Sequence, residues 1–135
     1  MTGPVAMERR RPDGAALAWE LVLPADATLP FLIEDRTARG LRVPGEPEAV
    51  THANGARGIS ALRLRTASVI GTALAWADLF GATPRSERDG TTWLELAGMA
   101  IELTEGGPPG ACEATIAGVA SLPAALLADG LRPGP

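Results

Sequence analysis

The sharpest alternation of apolar and polar positions lies between Thr91 and Thr104, where two alternating runs flank Ala97-Gly98. That arrangement predicts a β-hairpin closed by a two-residue turn. Pairing across the turn puts Leu96 opposite Met99, Leu94 opposite Ile101 and Thr92 opposite Leu103 on one face. The other face receives Glu95 opposite Ala100 and Trp93 opposite Glu102. The first face is apolar apart from a threonine, and the second mixes an indole with two carboxylates. A sheet divided in this way packs against an apolar layer on one side only.

The cover for that face is predicted from Val69 to Phe80. Ser68 is a good N-cap, Gly81 is suited to the left-handed position after the helix, and Ile70, Ala73, Leu74, Ala77 and Phe80 recur at helical spacing. Before the helix, Ile59 to Thr66 alternates, with Leu62 and Leu64 on one side and Ala61, Arg63 and Arg65 on the other. A weak strand near Arg85 completes the order β, α, β, β, β over residues 59–105.

Parts of this order occur twice. Glu8 to Glu34 (ERRRPDGAALAWELVLP…LPFLIE) and Glu87 to Glu102 (ERDGTTWLELAGMAIE) both run from charges through Asp-Gly to a Trp-bearing strand and then a strand ending in Ile-Glu. Glu113 to Leu131 likewise echoes Ser60 to Gly81: a strand, Ala-Ser, then an Ala/Leu helix closed by glycine. Ala15 to Leu23 and Leu29 to Arg36 read as strands joined by the Pro24 to Thr28 turn. Ala114 to Val119 reads as a strand, Ser121 as the cap of a short helix with Pro123 in its first turn, and Gly130 as its end. Nothing before Met7 suits a strand and helix, and Arg132 to Pro135 reads as a frayed tail. Residues 37–58, rich in Gly, Pro and Glu without periodicity, read as a linker.

The fold class expected is α+β: two βαβββ-type modules forming an open barrel-like sheet with helices outside. One module is continuous over 59–105. The other is assembled from 7–36 and 112–131 as in a circular permutation, or is completed by a second chain in a homodimer. At 135 residues a single domain can bury its own core without a staple.

Net charge is −4 with acids and bases interspersed, so nucleic acid is not an expected partner. Arg9-Arg10-Arg11 reads as a solvated strand or loop. One cysteine, Cys112, fits a reducing compartment, and no apolar run approaches the roughly 18 residues that span a bilayer, so a cytoplasmic protein without a membrane partner is expected. All twelve basic residues are arginine, which with abundant Ala, Gly and Pro suggests a GC-rich bacterial genome.

The unit LRLRTASVIGTALAWADLFG followed by GTTWLELAGMAIELTEG resembles the vicinal oxygen chelate superfamily, which includes glyoxalase I, extradiol dioxygenases and bleomycin-resistance proteins. RRRPDGAALAWELVLP…LPFLIEDR followed by HANGARGI is more specifically similar to bacterial glyoxalase-like domain proteins. The resemblance runs from Arg9 to Glu105. It implies paired modules with a ligand inside and, in metal-using members, ligands on the first and last strands of each module. The last-strand positions fall on Glu34 and Glu102, and the first-strand positions near Ala61 and Ala114.

Alanine cannot ligate, and a catalytic divalent ion needs about three protein ligands. The chelate set is therefore short, and neither a metal nor another cofactor is expected. His52, the only histidine, reads either as a third ligand or as part of the HANGARGI turn, where Asn54-Gly55 is itself a turn signal. Glu34 and Glu102 are the candidate proton-transfer residues, with surface ion pairing as their alternative. Trp19 and Trp93 are candidate aromatic walls or core residues, and Arg63 and Arg65 candidate partners for the glutamates or for an anionic ligand. Three functions follow for a small organic ligand: a metal-independent isomerase, cyclase or lyase; a sequestering protein without catalysis; or a metal-dependent lyase or dioxygenase using His52, Glu34 and Glu102.

Overall fold

A computed structural model describes residues 3–26 and 28–135, so the Pro24 to Thr28 turn includes one residue, Ala27, outside the described set. The chain divides into two compact units, Met1–Thr51 and His52–Pro135.

The first unit is a three-stranded antiparallel sheet in the order β1 (Val5–Arg10), β2 (Ala16–Val22), β3 (Leu32–Asp35). The charged run before Asp-Gly thus belongs to a regular strand, exposed along its whole length. β3 is shorter than the alternation from Leu29 suggests. Residues 37–58, read as a structureless linker, contain two single-turn helices, α1 (Arg39–Arg42) and α2 (Pro47–Val50). Neither buries a residue, which is why no apolar period announced them.

The second unit is a six-stranded sheet with the order β5 (Arg85–Ser86), β6 (Thr92–Leu96), β7 (Met99–Glu105), β4 (Gly58–Thr66), β8 (Gly110–Ala117), β9 (Leu131–Pro133). Both sheets are open and the whole is α+β. The hairpin β6–β7 has every predicted pair: Leu96 with Met99, Glu95 with Ala100, Leu94 with Ile101, Trp93 with Glu102 and Thr92 with Leu103. Its turn needs two residues at positive φ, and Ala97 (50°) and Gly98 (81°) supply them.

β4 runs parallel to β7 and antiparallel to β8. β9 then returns parallel to β8. Strand, helix, parallel strand therefore occurs twice, as β4, α3 (Val69–Phe80), β7 and as β8, α4 (Ala124–Ala128), β9. The tail expected to fray is thus a strand, held further by the Val119–Gly134 bridge. Ser121 does not cap α4: the helix begins after Pro123, which takes the N-cap position without a side-chain hydrogen bond. The chain can return over β8 because Gly130 has no Cβ, which would collide with the Cys112 carbonyl oxygen.

Helix α3 has the predicted limits, with Ser68 Oγ accepting from Gly71 N and Gly81 in the left-handed conformation. Its phase differs from the predicted stripe. Thr72, Ala73 and Trp76 are buried against the sheet, whereas Ile70 is 74% and Leu74 63% exposed. Apolar residues surround this helix, so spacing alone leaves its rotation open. Thr72 decides it: its hydroxyl meets the buried Thr66 hydroxyl at 2.5 Å, and the alternative rotation would break that buried pair. The core of the unit is Trp76, Leu94, Ile101 and Leu103, with the Trp76 and Phe80 rings 5.5 Å apart.

This phase makes a direct prediction. Leu74→Ser should change unfolding free energy by no more than about 0.5 kcal/mol, and Trp76→Ala should cost about 3–5 kcal/mol. Urea unfolding measures both, and a larger loss from Leu74→Ser than from Trp76→Ala would contradict the orientation of α3.

Candidate functional site

With α3 on one face of the six-stranded sheet, the other face is left to polar side chains. Strand pairing lines them up across the sheet: Arg85 beside Trp93, Trp93 beside Glu102, Glu102 beside Arg63, and Arg63 beside Glu113. On the edge strand Arg132 continues the row, with Nη2 3.0 Å from Glu113 Oε2. Arg63 lies at its centre, with Nε 2.8 Å from Glu102 Oε2 and Nη1 3.2 Å from Glu113 Oε1. The Nε is buried, and its short approach to Glu102 is an ion pair whose N–H is not well aligned on the carboxylate oxygen. The Glu102 contact is the largest influence raising the Arg63 pKa, ahead of burial, which opposes it.

The four innermost charges alternate as −, +, −, + over adjacent strands. Each sign is satisfied by its neighbours, so ionised groups can remain partly buried on a sheet face. Arg65, one turn of the alternation beyond Arg63, adds a further cation and has no protein partner among the described residues. It joins Arg63, Glu102, Cys112, Glu113 and Arg132 around a polar cavity of about 620 Å³. Cys112 Sγ donates to the Arg63 carbonyl oxygen at 3.4 Å. On the other side of Glu102, Trp93 with Ser60, Arg85, Glu95 and Ala100 borders a more apolar cavity of about 330 Å³. Trp93 Nε1 is buried and has no acceptor.

Of the residues singled out by sequence, Trp93, Glu102, Arg63 and Arg65 therefore share one face. His52 does not join them: it is exposed, and its carbonyl accepts from Gly55 N at 2.9 Å to close the HANGARGI turn. Trp19 and Glu34 belong to the first unit, and there the expected equivalence slips by one residue. Trp19 stands opposite Asp35, while Glu34 stands opposite Glu20 on the other face. Glu34 is 68% exposed and paired with Arg36 at 3.1 Å. The register counterpart of Glu102 is Asp35, which the repeat of Ile-Glu obscured. Like Glu102, its side chain is only 15% exposed. Arg42 donates Nε–H to Oδ1 at 2.6 Å and Nη2–H to Oδ2 at 2.9 Å, holding the Asp35 carboxyl below its ordinary pKa.

Sequence reasoning missed Glu113, Arg132, Asp35 and Arg42. The first two need the β8–β4 register and the strand character of β9; the last needs α1, hidden in a segment without periodicity.

A divalent metal implied by the superfamily does not fit these residues. Glu102 and Glu113 are both committed to Arg63, the first-strand positions Ala61 and Ala114 carry no donor, and among the described residues no three His, Cys, Asp or Glu side chains converge. No helix among the described residues is long and apolar enough to cross a membrane.

An open mixed sheet with a helix on one face and a polar, cavity-bearing opposite face makes this an α+β protein, an architecture consistent with the glyoxalase-like fold. Residues 1–80 match the glyoxalase-like domain family, and the chain belongs to that family. The fold is also similar to a crystal structure of a hypothetical protein from Staphylococcus aureus, with a TM-score of 0.71 and 17% identity. The match covers 98% of this chain and 56% of that one, so this chain spans just over half that structure's length. No curated protein matches the chain.

The Asp35 clamp has a definite pH signature. A lowered folded-state pKa contributes stability that is complete above the unfolded value and is lost as pH falls through the folded one. The stability gap between wild type and Asp35→Asn is therefore expected to persist from neutral pH down to about 4 and to close below it. Denaturant titrations across pH 2–7 measure the gap, and a constant gap throughout would refute the clamp.

Proposed function

We propose that this protein binds a small organic anion with an apolar or aromatic body on the polar face of the six-stranded sheet, without a metal. The carrying observation is the pairing pattern: Arg63 and Arg132 are neutralised by Glu102 and Glu113, which leaves Arg65 at the polar cavity and Arg85 at the smaller one as cations without an ion pair among the described residues. Glu105 and Asp129 also border the polar cavity; both are solvent-exposed, as is Arg65, and neither forms an ion pair with it among the described residues. Trp93 offers an aromatic wall beside the smaller cavity and a buried N–H whose lack of an acceptor costs free energy until a ligand supplies one. Volumes of about 330 and 620 Å³ suit a metabolite-sized guest. Membership of the glyoxalase-like family supports a small-molecule ligand.

A catalytic version has one observation in its favour. Glu102 commits Oε2 to Arg63, no partner for Oε1 is present among the described residues, and the residue borders the polar cavity. A carboxylate oxygen held in place at a cavity wall can take a proton from a carbon acid and return it elsewhere, as an isomerase, cyclase or lyase requires. Glu34, on the outward face of β3 in the other unit, has no comparable setting. In this reading Arg65 orients the anionic end, Arg63 holds Glu102 in place, Trp93 packs the body and Glu102 moves the proton.

Thermal-shift measurements with paired probes test the binding claim. Benzoate and phenylacetate are expected to raise the melting temperature at millimolar concentration, benzamide and phenylacetamide much less, and Arg65→Met to remove the difference. Equal shifts from acids and amides, or no shift from any acid, would refute anion recognition.

A further inference from the structure

The slip of register in the first unit places a second group of the same kind there. Trp19 faces Asp35 across β2 and β3 as Trp93 faces Glu102 across β6 and β7. Both carboxylates are equally shielded, and each is held through an arginine Nε, from Arg42 in one unit and from Arg63 in the other. Each group also has a spare cation. Arg65 fills that part in the second unit; in the first it is Arg39, on the same helical turn as Arg42, close enough for its charge to stabilise the Asp35 carboxylate but in no direct ion pair or side-chain hydrogen bond among the described residues.

An ion pair alone would need no indole and no second arginine. Asp35, Arg39 and Arg42 together carry one net positive charge. The sheet face that Trp19 and Asp35 occupy continues into Met7, Val5 and Ile33, all exposed. An apolar shelf ending in a net positive group is complementary to an apolar body carrying a carboxylate.

We propose that Trp19, Asp35, Arg42 and Arg39 form a second binding site for a small organic carboxylate in the first unit, with Asp35 positioning Arg42 and the two guanidiniums meeting the anion. The inference rests on the reading of the Trp93 site for the ligand class, and on its own residues for its location. It gives Glu34 no part.

Indole N–H signals in 1H–15N correlation spectra of the full chain separate the two sites, with benzoate as the probe. Trp19 and Trp93 signals are expected to move with saturating benzoate, and the signal of buried Trp76 to stay in place. Arg39→Gln, an exposed change outside the Asp35 ion pair, should weaken the apparent affinity read at Trp19 by roughly threefold to tenfold, the size of one lost exposed charge contact, and leave Trp93 unchanged. Arg65→Met should do the reverse. If Trp93 moves and Trp19 does not, or if Trp19 responds to Arg65→Met and ignores Arg39→Gln, the second site is refuted while the first stands. If neither signal moves, the anion-binding reading itself fails, and the second site with it.

Discussion

Arg63 is the residue on which the polar face depends. It sits on the central strand β4, between the parallel strand β7 and the antiparallel strand β8, and reaches a carboxylate on each. Without its charge, Glu102 and Glu113 would face one another across a single strand, partly shielded from water. With it, four strands carry alternating charges that compensate locally, and the face can border cavities without exposing the core beneath. The apolar side of the same strands, Leu94, Ile101 and Leu103 under Trp76, supplies the burial that keeps the row in register.

The hairpin and the helix limits were legible because they rest on local chemistry. Ala97-Gly98 fixes the hairpin register, and Ser68 and Gly81 fix the helix ends. The rotation of α3 was not legible, since Ile70 and Leu74 are as apolar as the residues it buries; a hydroxyl pair between Thr66 and Thr72, distant from any pattern count, settles it. Strand β9 escaped notice for a different reason. Its three residues include a proline and carry no alternation, and they become a strand only because β8 offers a parallel edge.

Half of the site could be read and half could not. Trp93 and Glu102 follow from a two-residue turn, and Arg63 from strand alternation. Glu113 depends on a pairing between segments 50 residues apart in sequence, and Arg132 on a parallel pairing 17 residues apart, neither of which composition can reveal. In the first unit the motif Ile33-Glu34 resembles Ile101-Glu102, yet the Trp19 register selects Asp35. A one-residue change of register exchanges the two faces of a strand, so a match of letters is weaker evidence than a match of cross-strand partners. The first unit also has only Leu17 as a fully buried large apolar side chain among its described residues, which leaves little core pattern to fix its register by sequence.

The central claim is that Arg63 couples two strands through two carboxylates. Double-mutant cycles on unfolding free energy, pairing Arg63→Met with Glu102→Gln and with Glu113→Gln, measure it. The account predicts a favourable coupling of a few tenths to about 1 kcal/mol in each cycle at low salt, smaller in 0.5 M salt. Coupling indistinguishable from zero in both cycles at low salt would contradict it.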